Sequence, residues 1–243
     1  MDQLRPISLF TDFGYEGPYV GQMNAAILLA CPGATIINLM HDAPVMQPRL
    51  AAYLLAACCR ALPSGSIVVA VVDPGVGGER AALVVETPGL TLVGPDNGLM
   101  SQLPGIRQVK RIDWRPAQMS MSFHGRDLFA PVAARLAGAE TVETTPLVGE
   151  AMVGNDWPRD VSQIVYIDSF GNLVTGLRSE KINKNSKIRI SGQAVDYAET
   201  FCRVPPGQLF WYPNSLGLIE IAANGESAAT KLSLVLGDKL LLD

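Results

Sequence analysis

The segment from Asp73 to Arg80 combines residue types that catalysis requires. It reads Asp-Pro-Gly-Val-Gly-Gly-Glu-Arg and lies between two apolar runs, Ser66–Val72 and Ala81–Val85. The first run has the length and composition of a fully buried strand, so Asp73 is expected at the carboxyl edge of a sheet, where open α/β sheets bind ligands. Glycines there let the backbone approach a ligand closely. The segment predicts an active-site loop, and the alternative is a surface turn whose acid and arginine merely pair.

Other catalytic motifs are absent from the sequence. The glycines at 75–78 precede the strand-like run Ala81–Val85, whereas a dinucleotide-binding loop opens onto a helix N-terminus that receives the phosphate. The sequence has no serine-hydrolase elbow, Walker loop or zincin motif. The remaining candidates for catalytic residues are aspartate, arginine and histidine side chains.

Three further loops place polar side chains beside glycine. Asp12 follows an apolar run, so its carboxylate is expected at the same sheet edge as an acceptor for a sugar diol, with helix capping as the alternative. The sequence 96–98, Asp-Asn-Gly, is typical of a turn. Of the two histidines, His124 is the better candidate for a proton carrier because it lies in a Gly-Arg-Asp loop that opens a helix. His41 closes a strand, and we expect a structural contact for it.

The elements that must position these loops follow an alternating pattern. Strands and helices alternate from Ile7 to about Gly138, which predicts an α/β domain with a mainly parallel central sheet. The expected strands are Ile7–Thr11, Thr35–Leu39 and Ser66–Val72, and the expected helices lie near Pro18–Ala30, Gln47–Ala61 and Asp127–Leu136. We expect the helical face from Met23 to Leu29 to pack on this sheet.

A second domain is expected after a linker. Residues 1–145 form the predicted N-terminal α/β domain, 146–162 the linker, and 163–243 a smaller C-terminal β-barrel-like domain. The short strands expected there are Ile164–Asp168, Leu173–Leu177, Lys187–Ile190, Leu218–Ala222 and Leu232–Leu236.

Composition narrows the class of protein. Of the 243 residues, 48% are apolar and 17% are charged, so the chain is long and apolar enough to bury a sizeable core. A net charge of −4 with scattered basic residues argues against nucleic-acid binding and favours a small-molecule partner. No run reaches the ~18 apolar residues of a membrane span, and the N-terminus lacks signal-peptide character, so we expect a soluble cytoplasmic protein with no membrane partner. The spacing of the four cysteines predicts reduced, mostly buried thiols.

Taken together, the motifs resemble those of the S-adenosylmethionine hydroxide adenosyltransferases, which are hydrolase relatives of fluorinase and chlorinase. The resemblance covers nearly the whole chain. The matching motifs are Thr11–Gly14, Val72–Gly77, Gly94–Gly98, Phe123–Asp127, Ile167–Leu173 and Asn214–Ala222.

The resemblance implies hydrolysis of S-adenosylmethionine to adenosine and L-methionine, by attack of water or hydroxide on the ribose C5′ carbon. A sulfonium is already a good leaving group, so neither a general acid nor a metal is required, and no cofactor is expected because S-adenosylmethionine is itself the substrate. The resemblance implies that Asp73, Arg80 and His124 activate the water. Which member takes the proton stays open.

Substrate contacts are also implied by the resemblance. Asp12 resembles the acceptor for the ribose diol. The implied contacts from the second domain are Asp168, Phe170, Asn172 and Ser215. Phe201 is a further candidate for base stacking, with a core position as the alternative. The resemblance also implies a homotrimer whose active sites lie between subunits.

Departures from the halogenating relatives indicate the hydrolase branch. Those enzymes carry a tyrosine where this chain has Asp73, a tryptophan where Val45 lies and an arginine where Leu216 lies. A carboxylate at position 73 would repel a halide, because two like charges in a dry pocket are costly. Halogenation is therefore not expected.

Two other functions remain possible from the residues alone. Asp12, Asp73, Asp96 and His124 are suitable ligands for a divalent metal, as in a phosphoesterase acting on a nucleotide. A non-catalytic module that binds adenosine or S-adenosylmethionine is the third class.

Overall fold

The structure, a computed structural model, describes residues 4–147 and 152–242. The chain forms two compact units that divide between Trp157 and Pro158. This division falls inside the stretch 146–162 that the sequence marks as a linker, of which residues 148–151 lie outside the described part.

The first unit is built on a seven-stranded sheet with the order β2-β1-β3-β5-β4-β6-β7. Its strands are β1 Ile7–Thr11, β2 Ile36–Met40, β3 Ile67–Val71, β4 Ala82–Glu86, β5 Thr91–Pro95, β6 Gln108–Ile112 and β7 Thr144–Pro146. The strands β2, β1, β3 and β5 are parallel, and β4 and β7 run against their neighbours, which leaves β6 pointing the same way as the parallel core. The expected mainly parallel sheet is confirmed.

The register of β1 and β3 brings two loops to one edge of this sheet. Both strands are buried along their whole length, as expected for apolar strands covered on both faces. Thr11, the last residue of β1, pairs with Val71, the last residue of β3. Asp12 and Asp73 therefore leave the sheet at the same level, at its carboxyl edge.

The described part of this unit contains three α-helices: α1 Tyr19–Ala30, α2 Pro48–Cys58 and α3 Ala130–Ala137. In α1, Met23 and Ile27 are buried, but Leu29 is 86% exposed, so the expected packing of the Met23–Leu29 face is only partly correct. No helix in the described ranges combines the length and apolar character needed to cross a membrane.

The helix expected at Asp127–Leu136 is not regular. Residues Gly125–Phe129 form a π-helical segment, and α3 follows it without a break. The 3.6-residue period of the sequence does not reveal this extra residue in the first turns. Such π segments occur frequently at functional sites, and this one begins directly after His124.

The second unit consists mainly of antiparallel strands. They are β8 Val161–Ile167, β9 Leu173–Arg178, β10 Ile188–Ile190, β11 Gln193–Val195, β12 Leu209–Pro213, β13 Leu218–Ala223 and β14 Leu241–Leu242. They form a four-stranded sheet, β12-β13-β9-β8, and a three-stranded sheet, β11-β10-β14. The separate β domain is confirmed, and its closure into a barrel stays a prediction.

The strand expected at Leu232–Leu236 is wrong. A short helix, α4 Ala228–Leu232, ends at the first residue of that range, and residues 233–236 form turns and irregular structure. The side chain of Ser227 accepts a hydrogen bond from the Thr230 amide at 3.1 Å and caps the helix, and Ser233 ends it in a left-handed conformation. The apolar pattern of residues 232–236 does not predict this helix, because the capping residue Ser227 lies before that run.

The cysteines are all free thiols. Cys31, Cys58 and Cys59 are buried and Cys202 is exposed. Burial raises the pKa of Cys58 to about 11 and that of Cys59 to about 12, so both remain protonated at neutral pH.

Candidate active site

Asp73 and Arg80 form a buried ion pair at the end of β3. The Arg80 Nε donates to both carboxylate oxygens of Asp73, at 3.1 and 3.0 Å, and its Nη2 donates to Asp73 Oδ2 as well. The side chains are 4% exposed for Asp73 and 12% exposed for Arg80. The pair is therefore not the loose surface contact that the sequence left open, and its electrostatic interaction is poorly screened.

His124 extends this pair into a chain of three groups. The Nη2 of Arg80 lies 3.0 Å from His124 Nδ1. Since a guanidinium has donors and no acceptor, Nδ1 must accept, and the neutral ring carries its proton on Nε2. Burial lowers the pKa of His124, and the Arg80 cation lowers it further. The imidazole in this arrangement is uncharged.

One contact brings the His124 loop to the Asp73 loop, and a second fixes the His124 loop internally. Gly77 adopts φ +79°, and a Cβ on it would collide with the backbone oxygen of Met121. The carboxylate of Asp127 accepts the backbone amide of Ser120 at 2.8 Å and so fixes the start of the segment that leads to His124. Sequence reasoning quoted Asp127 within a motif but gave it no role.

Asp12 is held at the edge of the same sheet by a neighbouring loop. Its Oδ2 accepts the backbone amide of Met46 at 2.9 Å. Met46 has φ 54°, an unusual conformation for a residue other than glycine, and it aims this amide at the carboxylate. Burial raises the pKa of Asp12. The capping alternative is wrong, because α1 begins at Tyr19 and its N-cap residue is Pro18.

His41 fastens this neighbouring loop to β1. Its Nε2 lies 3.0 Å from Asn38 Oδ1 and its Nδ1 lies 2.8 Å from Thr11 Oγ1. The Asn38 oxygen can only accept, so Nε2 donates to it and Nδ1 accepts the Thr11 hydroxyl proton. The Thr11 oxygen in turn accepts the amide of Phe13 at 3.3 Å. This neutral, fully buried histidine therefore braces the residues on both sides of Asp12 and is unsuited to proton transfer with a ligand.

Asp12, Asp73 and His124 line one cavity of about 570 Å³. Its wall also includes Phe13, Tyr19, Val45, Met46, Ser120 and Ser122. Arg80 does not belong to the lining among the described residues and lies against the face of Phe129, 5.3 Å from the ring centroid. Of the four residues predicted for this domain, three border the cavity and the fourth joins two of them.

The turn at Asp96 and Asn97 supports the end of β3. Asn97 Nδ2 donates to the carbonyl of Val72 at 2.8 Å, directly before Asp73. Asp96 Oδ1 accepts the amide of Val153 at 3.0 Å. In the described ranges, no three His, Cys, Asp or Glu side chains come together as a metal site. The set Asp12, Asp73, Asp96 and His124, proposed for a phosphoesterase, therefore does not converge.

The second unit has its own cavity, of about 740 Å³. All five residues that the sequence predicted for this domain line it: Asp168, Phe170, Asn172, Phe201 and Ser215. Phe201 packs edge-on against Phe210, with ring centroids 5.0 Å apart, so it belongs to an aromatic cluster as well as to the cavity wall. The side chain of Phe170 is 78% exposed.

Asp168 organises the turn that carries Phe170. Its Oδ1 accepts the backbone amides of Phe170 and Asn172 at 2.9 and 2.8 Å, and its Oδ2 accepts Asn172 Nδ2 at 2.9 Å. These three bonds use most of the acceptor capacity of the carboxylate. The carboxylate fixes the backbone on which Phe170 and Asn172 are presented.

The buried carboxylate of Glu220 holds the turn that contains Ser215. Tyr212 donates its hydroxyl to one oxygen of Glu220, and Asn214 Nδ2 donates to the other at 2.9 Å. Asn214 Oδ1 accepts the amides of Leu216 and Leu218, both at 3.0 Å, which closes the turn. Glu220 lies within the matching motif Asn214–Ala222, but it had no role predicted from the sequence, although a glutamate inside a strand of otherwise buried apolar residues is a signal for one.

The fold and the sites together define the class of the protein. It has an α/β unit whose sheet edge carries a carboxylate, a guanidinium and an imidazole joined by hydrogen bonds in that order, and a β unit with an aromatic and polar cavity. The sequence profile of the SAM hydroxide adenosyltransferase N-terminal domain matches residues 7–145, and that of the corresponding C-terminal domain matches residues 162–241. The chain belongs to the SAM hydroxide adenosyltransferase family.

Individual relatives agree with this assignment. The chain is 35% identical to the (R)-S-adenosyl-L-methionine hydrolase of Salinispora arenicola, in a match that covers 96% of each chain. It is also 35% identical to the enzyme of that name from Thermus thermophilus, in a match that covers 95% of this chain and 96% of the relative. Its fold is similar to that of a conserved protein from Thermotoga maritima, with a TM-score of 0.87, 29% identity and coverage of 97% and 99%. The crystal structure of a conserved protein from Thermus thermophilus has a TM-score of 0.78, 33% identity and coverage of 99% and 100%.

Proposed function

We propose that this chain hydrolyses S-adenosyl-L-methionine to adenosine and L-methionine. The observation that carries the proposal is the hydrogen-bonded set of Asp73, Arg80 and His124, which lies with Asp12 at a single cavity on the sheet edge. Membership of the family and the printed names of the relatives support the same reaction. A phosphoesterase is not favoured, because its ligands do not converge.

The chemistry requires little from the protein beyond placement and one proton acceptor. A water oxygen forms a bond to the ribose C5′, the C5′–S bond breaks, and its electron pair returns to sulfur, which becomes the neutral thioether of methionine. The attacking oxygen then loses one proton. Since the sulfonium leaves without protonation, the protein has to hold the water in line with the C5′–S bond and to receive that proton. Asp73, Arg80 and His124 are the proposed set for this task.

Substrate binding is assigned to both cavities. Asp12 uses one oxygen for the Met46 amide and retains acceptor capacity for a ribose diol. In the second unit, the exposed ring of Phe170 and the cluster around Phe201 suit an adenine face, and Asn172 and Ser215 offer polar groups for the base and the methionine end. These assignments follow the resemblance and stay proposals.

Hydroxide transfer is favoured over halide transfer. The cavity wall carries the Asp73 carboxylate, which repels an anionic nucleophile such as chloride but accepts a hydrogen bond from water. Val45 also lines this wall, at a position where the halogenating relatives are expected to carry tryptophan. Water is thus the nucleophile that suits the cavity.

A homotrimer with active sites between subunits is the proposed assembly. Besides the resemblance, exposed apolar side chains on α1 support association, since Leu28 is 43% and Leu29 86% exposed. Light scattering is expected to give three times the 26.0 kDa of one chain. The mass of a monomer at micromolar concentration would contradict the trimer. A cytoplasmic location stays a prediction from the sequence.

Isotope labelling tests the reaction directly. The purified protein is incubated in ¹⁸O-water with each sulfonium epimer of S-adenosylmethionine, since the relatives are named for the (R) form, and adenosine and methionine are followed by chromatography and mass spectrometry. We expect adenosine labelled at the 5′ oxygen, with and without EDTA. Loss of turnover in EDTA that Mg²⁺ or Mn²⁺ restores would instead favour a metal-dependent enzyme. Thermal stabilisation by the substrate without turnover would favour a binding module.

A further inference from the structure

We propose that His124 acts through Arg80, as a positioning residue, and that Asp73 receives the proton of the attacking water. This division of roles rests on the proposed hydrolysis of S-adenosylmethionine. It answers which member of the set handles the proton, which the sequence leaves open.

Neither ring nitrogen of His124 is presented as a base. Nδ1 accepts the Arg80 Nη2 hydrogen at 3.0 Å, so its lone pair is already used. Nε2 must then carry the proton, and it is buried without a hydrogen-bond partner among the described residues. A histidine that is to remove a proton from water needs an exposed, unprotonated nitrogen facing the cavity. The ring as a whole is 7% exposed, which leaves little room for reorientation.

Arg80 is the group through which His124 can act. Its guanidinium contacts the Asp73 carboxylate with two nitrogens, the Phe129 ring with one face and His124 Nδ1 with the remaining hydrogen of Nη2. The fork is rigid and planar, so fixing Nη2 from the His124 side also fixes the plane in which Asp73 is held. Without the Nδ1 acceptor, a buried donor of Arg80 loses its partner, and the carboxylate loses its defined orientation.

Asp73 has the capacity to accept the proton. It borders the cavity, and its Oδ1 receives a hydrogen bond from Arg80 Nε alone, which leaves a second lone pair on that oxygen. As the C5′–O bond forms, the attacking water becomes a protonated alcohol, which is strongly acidic. A carboxylate can therefore take this proton and pass it to solvent, while the C5′–S electrons remain on sulfur.

Three substitutions of His124 separate a positioning role from a basic one. His124→Asn places an amide oxygen close to the former Nδ1 and keeps the acceptor for Arg80, whereas His124→Leu has a similar size and no acceptor. His124→Gln extends its amide towards the former Nε2 and misses Arg80. We expect kcat of His124→Asn within about 10-fold of wild type, and kcat of the other two at least about 100-fold lower, within the range for a misplaced proton acceptor, with KM changed little.

The pH profile and a double-mutant cycle complete the test. The charged groups that act on the ring are Arg80, Asp73, Arg115 and Asp127. We expect log kcat against pH to have the same shape in wild type and His124→Asn. Arg80→Lys keeps the charge but loses the planar guanidinium. The double variant with His124→Leu should therefore have a kcat little below that of either single variant, because both substitutions interrupt the same hydrogen-bonded chain from His124 through Arg80 to Asp73.

The opposite results would overturn the proposal. If His124 is the base, the kcat of His124→Asn is as low as that of His124→Leu. The acid limb in the wild-type plot of log kcat against pH then disappears in both variants. The fall in kcat caused by Arg80→Lys then adds to the fall caused by either His124 substitution. Wild-type protein that produces no adenosine would instead refute the proposed function, and this outcome is distinct from any pattern among the variants. Thermal unfolding of each variant identifies those that fail to fold.

Discussion

Asp73→Asn is expected to lower kcat by about 10²–10⁴-fold, the usual contribution of a positioned proton acceptor. Asparagine has nearly the same shape and can still accept a hydrogen bond from Arg80, but it cannot take a proton and leaves the guanidinium without its counter-charge. Substrate binding should change by only a few-fold, because the carboxylate is assigned to the water and not to the nucleoside. Single-turnover kinetics measure the chemical step, and calorimetry measures the affinity.

Glu79→Gln provides the matched control. It makes the same change of charge in the same loop, but its side chain is exposed, and we expect kcat within about twofold of wild type because exposed charges are strongly screened. Equal losses in the two variants would indicate a general effect of loop charge. Wild-type turnover in Asp73→Asn would remove Asp73 from the mechanism.

The sequence predicted the sheet edge well because the controlling signals there are local. Two buried apolar strands each end one or two residues before an aspartate, and parallel strands in register bring such ends together. The sequence thereby placed Asp12 and Asp73 in neighbouring positions without knowledge of any contact. The exposure of Leu29 escaped prediction, because an apolar helix face looks the same whether it packs on its own sheet or remains uncovered.

The connections between the loops could not be predicted from the sequence alone. Arg80 and His124 are 44 positions apart, and their contact depends on the π-helical segment and on the close approach of Gly77 to Met121. Neither feature has a periodic pattern. The sequence therefore supplied the members of the set but not their order, in which the arginine lies between the acid and the imidazole.

The second unit illustrates a different limit. The sequence predicts Asp168 as a ligand contact, and this stays a prediction; the structure adds a second role, because the carboxylate also accepts hydrogen bonds from the backbone of its own turn. Glu220 had no predicted role beyond its place in a matching motif, and the structure shows it as the acceptor that fixes Tyr212 and Asn214. Side-chain hydrogen bonds to nearby backbone compete with ligand contacts, and type and spacing alone do not separate them.

Asp12→Ala is expected to raise KM by about 10–100-fold while kcat changes by only a few-fold. A hydrogen bond to a charged group contributes about 1.5–3 kcal/mol, and a diol is held equally in the ground state and the transition state, so its loss appears in binding. Steady-state kinetics with S-adenosylmethionine, together with the affinity of adenosine alone, measure the effect. Adenosine carries the diol but no sulfonium, so both ligands should weaken in parallel.

The pH dependence of KM gives this prediction its sharpest form. Burial raises the pKa of Asp12, so on acidification the carboxylate is protonated at a higher pH than an exposed aspartate and loses part of its strength as a diol acceptor. As pH falls, KM of the wild type should therefore begin to rise at a pH above the range in which exposed aspartates are protonated. Asp12→Ala should lack this rise. Glu16→Ala removes an exposed acid four residues away and should leave both KM and its pH dependence intact. A normal KM in Asp12→Ala, or the same acid rise in that variant, would show that another group binds the ribose.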